Sequence, residues 1–175
     1  MSLPQSPEPA KLIVSLLLRE KQLLSPAAKD LTEAFGTVDM VSGWFPFDYT
    51  AYYKPEMGEP LFRRIIVFRE LIELEALVDI KHATNAIEER YAEDGDRRIN
   101  LDPGYMNHAR FVLATGKDYA HRIYIGRGIY ADLTLIYQQG EFQPLPWTYP
   151  DYGSETMREY LKQVRNRYSF DFKRE

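Results

Sequence analysis

The sequence predicts an α+β protein with a ferredoxin-like βαββαβ core and an antiparallel sheet, extended by a C-terminal β-hairpin and a final helix. Two segments carry apolar residues at helical spacing, and four segments rich in apolar, β-branched or aromatic residues have the length of strands. Their order along the chain is strand, helix, strand, strand, helix, strand. This order is typical of the split βαβ arrangement, in which both helices cover one face of the sheet.

The length of 175 residues is that of one domain. The Pro-rich run PQSPEP predicts a disordered leader over residues 1–9, so we expect residues 10–175 to form a single α+β domain. Residues 10–19 are apolar at most positions, which is typical of a central strand buried on both faces.

A helix is predicted over residues 26–35, because Ser25 followed by Pro fits its start and Gly36 fits its end. Residues 37–47 are rich in aromatic and β-branched residues and predict the second strand. The Tyr-rich segment Tyr49–Met57 predicts a flap, since Pro, Gly and Asp around it favour a loop.

The third strand is predicted over residues 62–69, the longest helix over 73–93 and the fourth strand over 97–101. The helix carries an apolar stripe at the helical period, formed by Leu77, Ile80, Thr84, Ile87 and Tyr91. A polar line lies opposite this stripe, and we expect it to face solvent: Lys81, Asn85 and Glu88.

The C-terminal part predicts a strand or short helix over 109–115, a hairpin of strands 120–125 and 129–137, and a helix from about Ser154. One face of that helix carries Met157, Tyr160, Leu161, Val164 and Tyr168.

A three-residue loop, Gly126-Arg127-Gly128, gives the hairpin a definite register. It pairs apolar side chains on one face: Ile125 with Ile129, Ile123 with Ala131, and His121 with Leu133. The other face is a polar patch that pairs Tyr124 with Tyr130 and Arg122 with Asp132, with Thr134 beside them.

Composition excludes several classes of function. A net charge of −4 lacks the basic surface that duplex nucleic acid requires. The absence of Cys excludes disulfides and thiolate chemistry and fits a cytoplasmic location. The longest apolar run, Leu12 to Leu18, is too short to span a membrane. The 13 Tyr residues suit amphipathic surfaces such as pockets or subunit contacts, including those of a homodimer. The alternative is that they fill the outer shell of the core.

Two polar clusters carry candidate chemistry. Asn100 and Asp102 come just before Pro-Gly, so Asp102 either forms a structural Asx turn or projects with Asn100 toward a ligand. In the run from Lys117 to Arg122, the cations suit an anionic ligand and His121 suits acid–base chemistry. The alternative is a solvated turn with an Arg122–Asp132 ion pair and a core histidine.

The segments FPFDYTAYYKPEMG, KHATNAIEER, RRINLDPGY, TGKDYAHRIYIGRGIYADLTLIY and LPWTYPDY resemble a bacterial family of about 180-residue proteins of unknown function. Members are sometimes labelled GTP-binding proteins, and the resemblance covers nearly the whole chain. The label implies a P-loop, but Gly116-Lys117 is followed by Asp118 and lacks the earlier Gly that a P-loop requires.

Other catalytic motifs do not fit. A His-x-Thr motif occurs once, at His82, inside the long helix, whereas two-His phosphoesterases need two copies on facing strands. The sequence has no Gly-x-Ser-x-Gly elbow and no His spacing typical of zinc, although Mg²⁺ on one or two Asp stays open. It specifies no cofactor.

Two hypotheses follow. In the first, the protein binds or turns over a small anionic metabolite, such as a nucleotide or phosphate ester, beneath the flap. Its candidate catalytic residues are Asp102 and His121, and its candidate ligand-binding residues are Asn100, Tyr105, Lys117, Arg122, Asp132 and Thr134. In the second, the protein is a non-catalytic interaction or homo-oligomeric protein that uses its Tyr-rich surfaces.

Overall fold

The computed structural model describes residues 1–172 and confirms the α+β class. Within these residues one antiparallel sheet contains nine strands, a larger sheet than predicted. The strands are β1 (Ala10–Leu18), β2 (Val38–Val41), β3 (Phe45–Phe47), β4 (Leu61–Ile72), β5 (Ile99–Met106), β6 (Arg110–Thr115), β7 (Arg122–Gly126), β8 (Ile129–Gln138) and β9 (Glu141–Pro144).

Five α-helices lie within the same residues: α1 (Leu24–Phe35), α2 (Lys54–Met57), α3 (Leu77–Tyr91), α4 (Pro150–Gly153) and α5 (Glu155–Phe172). Short 3₁₀ turns precede α1 and α3. The predicted stripe of α3 is confirmed, because four of its five residues are buried and Tyr91 packs against the core. Residues 1–9 contain neither helix nor strand.

The sheet order is β2-β4-β1-β5-β6-β8-β7, with β3 beside β4 and β9 beside β8. Helices α1 and α3 cover one face and α5 covers the other, so the fold has three layers. Strand β1 lies in the middle, and it sends Leu12 and Val14 toward α1 and α3 and Ile13 toward α5. The prediction of a central strand buried on both faces is therefore confirmed.

The predicted single strand over 37–47 is wrong, because β2 and β3 are separate and both pair with β4. The break falls at Ser42, whose side-chain oxygen accepts a hydrogen bond from the Ile65 N–H at 2.9 Å. A side chain thus takes a place in the β4 ladder that a backbone carbonyl would otherwise fill.

A buried ion-pair network ties the first strand to the last helix. The Lys11 ammonium is fully buried and lies 2.8 Å from Asp39 and 2.6 Å from Asp171. Arg167 of α5 binds Asp39 through two hydrogen bonds of 3.0 Å. Burial alone would raise the pKa of Asp39, but the hydrogen bonds from Lys11 and Arg167 outweigh it and lower the pKa.

The structural turn predicted at Asp102-Pro103-Gly104 is wrong, because β5 continues through all three residues to Met106. Pairing with β1, which places Pro103 opposite Val14, overrides the local preference of Pro-Gly for a turn.

Strands β5 and β6 pair only along Gly104–Met106, and this leaves a gap in the sheet beside residues 99–103. Two side chains of α3 bind the strand edge across the gap: Glu88 accepts the Leu101 N–H at 2.5 Å, and Lys81 donates to the Leu101 carbonyl at 3.0 Å. The backbone nitrogens of alternate residues in a strand point toward the same edge. The nitrogen of Pro103 therefore points into the same gap as that of Leu101, where the missing N–H of proline costs no strand-to-strand hydrogen bond.

The hairpin register is confirmed for three pairs: Arg122–Asp132, Ile123–Ala131 and Tyr124–Tyr130. The predicted pair of Ile125 with Ile129 is wrong, because a bulge places Gly126 opposite Ile129. Arg127 and Gly128 then form a two-residue turn with positive φ angles of 49° and 78°, the backbone geometry of a tight hairpin.

Gly104 lies where the gap begins, and we expect Gly104→Ala to destabilise the fold by about 2 kcal/mol. A Cβ there would collide with the Val112 carbonyl oxygen and lie 2.9 Å from a Leu113 methyl carbon. Urea denaturation measures the loss, with Gly43→Ala as the matched control, since a Cβ at Gly43 meets nothing within 4 Å. Equal midpoints for the two variants would contradict this close packing.

Candidate functional site

A cavity of about 520 Å³ lies at the gap between β5 and β6. Side chains of α3 form its floor, the two strands form its sides, and the Tyr49–Tyr53 segment and residues 149–152 form its outer wall. Its polar lining includes Arg63, Lys81, Asn85, Glu88, Arg97, Asn100, Asp102, Thr115, Lys117, Arg122, Asp132 and Asp151. Its aromatic lining comprises Phe47, Tyr49, Tyr52, Tyr53, Tyr119, Tyr149 and Tyr152.

The floor corrects one expectation. The polar line of α3 was expected to face solvent, but Lys81 is only 8% exposed and Glu88 only 7%. These side chains face the sheet because the Leu101 N–H and carbonyl need hydrogen-bond partners at a position where β6 does not pair with β5. Pro103 is the signal that could have indicated this, since a proline inside a strand marks an edge without a neighbour.

Glu88 is the titratable group that the floor perturbs most clearly. Burial raises its pKa from 4.5 to about 7, while the nearby positive charge of Lys81 and the Leu101 N–H oppose this shift. Asp102 adds to the rise and Arg97, 3.9 Å away, opposes it. A carboxyl that titrates near neutral pH inside a cavity is suited to accept or donate a proton.

Arg63, which sequence reasoning missed, forms the back of the cavity. Its guanidinium is buried between the Phe47 and Tyr152 rings, at 5.0 and 4.9 Å from their centroids. It lies 2.9 Å from Asp151 and 3.7 Å from Asp102 and donates a 3.0 Å hydrogen bond to the Tyr152 hydroxyl. Nothing local in the strand sequence FRRIIVF distinguishes Arg63 from Arg64, because the carboxylate partners of Arg63 lie 39 and 88 residues further along the chain.

Arg97 connects the cavity to the flap. It forms a two-point ion pair with Glu56 of α2, at 2.6 and 2.7 Å, and donates to the Asn100 side-chain oxygen at 2.7 Å. The hydrogen bond from Arg97 lowers the pKa of Glu56. Asn100 in turn donates to Asp102 at 2.8 Å, so the first predicted cluster is a continuous hydrogen-bonded chain.

Asp132 organises the second predicted cluster. Its carboxylate accepts from the Arg122 Nε at 2.8 Å and lies 3.2 Å from the His121 Nε2. Arg122 also donates to the Lys117 carbonyl and lies over the Tyr119 ring at 4.2 Å. His121 is not opposite Leu133 as predicted, because β7 begins only at Arg122 and the imidazole stacks on Trp147 instead.

The structure brings five of the eight predicted site residues to the cavity: Asn100, Asp102, Lys117, Arg122 and Asp132. His121 contacts Asp132 but does not line the cavity. Tyr105 borders a separate depression with Val78 and Ile125, because odd-numbered residues of β5 face α3. Thr134 is buried outside the cavity lining, and its hydroxyl donates a hydrogen bond to the Asp132 backbone carbonyl.

Lys117 lies at the mouth of the cavity, after β6. Its ammonium donates to the Tyr52 hydroxyl at 2.7 Å and lies 4.0 Å from the centroid of the same ring. Within residues 1–172, no carboxylate oxygen lies within 4 Å of this ammonium. The three cavity arginines all have a carboxylate within that distance.

The described part of the chain offers no group of three His, Asp or Glu side chains that could hold a metal ion. None of its helices combines the length and apolar composition needed to cross a lipid bilayer.

The fold and the site together define an α+β protein with a polar, Tyr-walled cavity at a gap in its sheet. Residues 8–168 match the family described as a domain of unknown function, DUF4416, and the chain belongs to that family. This confirms the resemblance to a family of uncharacterised proteins. No curated protein and no solved structure matches the chain significantly.

Replacing Glu88 by Gln should change how stability depends on pH. A raised folded-state pKa favours the folded protein while the carboxyl is protonated, and this contribution is lost as pH rises from about 4.5 through about 7. We expect the unfolding free energy of the wild type, relative to Glu88→Gln, to fall by on the order of 1–3 kcal/mol over that window. Chemical denaturation between pH 4.5 and 8 measures it.

The exposed neighbour on the same helix provides the control, because Glu89→Gln should leave the pH dependence of the wild type unchanged. If the difference in unfolding free energy between wild type and Glu88→Gln stays constant across the whole pH window, the pKa of Glu88 is the same in the folded and the unfolded protein.

Proposed function

We propose that the cavity binds a small anionic metabolite, such as a nucleotide or phosphate ester. The observation that carries the proposal is Lys117, a cavity cation whose nearest polar partner is a neutral hydroxyl rather than a carboxylate. An anionic ligand would give Lys117 the charged partner that the three cavity arginines already have within the protein.

The size and lining of the cavity support this proposal. Its volume of about 520 Å³ falls within the usual range for small-molecule sites. Its Tyr residues offer flat apolar faces with polar tips, which suit a ring that carries polar substituents. Asn100, Asp102, Arg122 and Asp132 provide donors and acceptors along the sides, and their hydrogen bonds to one another hold them in place.

We assign the proton-transferring role to Glu88, should the ligand be turned over. Glu88 lines the cavity and titrates near neutral pH, with one carboxylate oxygen fixed by the Leu101 N–H. Asp102, the other candidate, lies beside Asn100 and Arg63. His121 is better suited to orienting Asp132, since it contacts that carboxylate from outside the cavity.

We also propose that residues 10–106 form a ferredoxin-like unit. The strand order β2-β4-β1-β5 and the position of α1 and α3 on one face support this assignment. Strands β6 to β9 and helix α5 then extend the unit, and the cavity lies at the junction between unit and extension.

A thermal-shift panel of nucleotides, including GTP, and of sugar phosphates tests the proposed ligand class. A ligand at about 100 times its Kd should raise the Tm of the wild type by roughly 5–10 °C. Lys117→Met should lose about half of this shift or more, since a tenfold weaker Kd removes about half of the stabilisation.

The matched control is Lys29→Met, which removes the same charge from an exposed site on α1. It should keep the full shift. A panel in which no compound stabilises the wild type, or in which Lys117→Met and Lys29→Met respond alike, contradicts the proposal.

A second candidate function is self-association through strand β7. This strand is an edge of the sheet, and Ile123 and Tyr124 on it are 68% and 59% exposed. Exposed apolar side chains on an unpaired edge favour pairing with another strand.

Light scattering over a concentration series tests this candidate. Self-association through β7 should give a dimer that Ile123→Lys converts to a monomer. Val41→Lys, which places the same charge near the opposite end of the sheet, should leave the dimer intact. A wild type that stays monomeric at all concentrations argues against this function.

A further inference from the structure

Lys117 and Tyr52 come from distant parts of the chain and meet at the cavity mouth. Lys117 follows strand β6, and Tyr52 belongs to the Tyr49–Tyr53 segment, which precedes α2. The phenol oxygen accepts a 2.7 Å hydrogen bond from the ammonium, and the ring face lies 4.0 Å from the same nitrogen. One neutral side chain therefore supplies both an acceptor oxygen and a π face to this cation.

Tyr52 is held loosely, in contrast to its neighbour Tyr53. Tyr53 packs against the Phe47 ring at 5.8 Å and against the cluster that contains Met57. Tyr52 is 57% exposed, and its ring approaches Tyr53 edge-on at 5.0 Å. The Tyr52 side chain can thus rotate away from Lys117 without disturbing the packed base of the segment.

We propose that the Tyr52 hydroxyl occupies the position of a ligand's anionic oxygen on Lys117, so that a phosphate group binds there by displacing Tyr52. This inference rests on the proposed function and identifies the part of the cavity that receives the anion. A phosphate oxygen carries a negative charge that the Tyr52 hydroxyl lacks, so we expect the ammonium to form a stronger hydrogen bond with the phosphate.

The backbone next to Lys117 leaves room for a ligand. A Cβ built on the adjacent Gly116 would meet no atom within 4 Å, so the backbone beside Lys117 borders open space. The neighbouring cation Arg122 lies on the same wall, where it binds the Lys117 carbonyl and Asp132.

The proposal predicts opposite effects for the two partners. Isothermal titration with inorganic pyrophosphate as the probe measures Kd for the wild type, Tyr52→Phe, Lys117→Met and the double variant. Tyr52→Phe should bind about three- to tenfold more tightly, because the competing internal hydrogen bond is gone. Lys117→Met should bind at least about tenfold more weakly.

In the double variant, Tyr52→Phe should have no effect of its own, because the hydroxyl competes only through Lys117. Tyr124→Phe on the hairpin is the matched control and should leave Kd unchanged, since its hydroxyl contacts Gly128 outside the cavity. Melting temperatures of the variants check that each is folded.

The outcomes separate this inference from the proposed function. Lys117-dependent binding that Tyr52→Phe leaves unchanged or weakens overturns the displacement by Tyr52 but retains the anion site. Binding that does not depend on Lys117 overturns this inference and the proposed site together. No binding of pyrophosphate to the wild type overturns the inference, and the ligand panel then decides the proposed function separately.

Discussion

The hydrogen bonds from α3 to the Leu101 backbone are the constraint on which the cavity depends. A strand in the middle of a sheet normally satisfies its backbone groups with two neighbouring strands. Along residues 99–103, β5 has no neighbouring strand on the side of β6. Glu88 and Lys81 bind the Leu101 peptide groups there instead. Because a helix binds the strand edge, the sheet can remain open at this point while the Leu101 N–H and carbonyl are both hydrogen-bonded.

The same arrangement determines the electrostatics of the cavity. An acidic and a basic side chain must both be buried to bind one N–H and one carbonyl, and burial raises the pKa of Glu88 to about 7. Around this floor, Arg63, Arg97 and Arg122 are each fixed by a carboxylate. Lys117 at the mouth differs from these three arginines, because its ammonium donates to a neutral tyrosine hydroxyl.

Local patterns predicted the elements whose signal lies within one segment. The apolar run of β1, the stripe of α3 and the pairing of Arg122 with Asp132 follow from periodicity and register, and all three are confirmed. The pairing explains why Arg122 and Asp132 could be placed side by side from the sequence alone.

Long-range contacts determined what the sequence did not predict. Pro103-Gly104 favours a turn locally, yet pairing with β1 keeps it in a strand. Glu88 was expected to face solvent. Its partner, Leu101, lies on a strand edge that is open only because of how the whole sheet is arranged, which a local pattern does not show. The position of Arg63 at the back of the cavity depends on contacts with Asp151 and Tyr152, which are distant from it in the chain.

The buried Lys11 network has a consequence for when this fold can become stable during synthesis. Lys11 of β1 is synthesised 160 residues before Asp171, one of the two carboxylates within reach of its ammonium. Until α5 emerges, Lys11 is only partly compensated and one face of the sheet has no cover. The nascent chain therefore reaches its native state only after α5 has been synthesised.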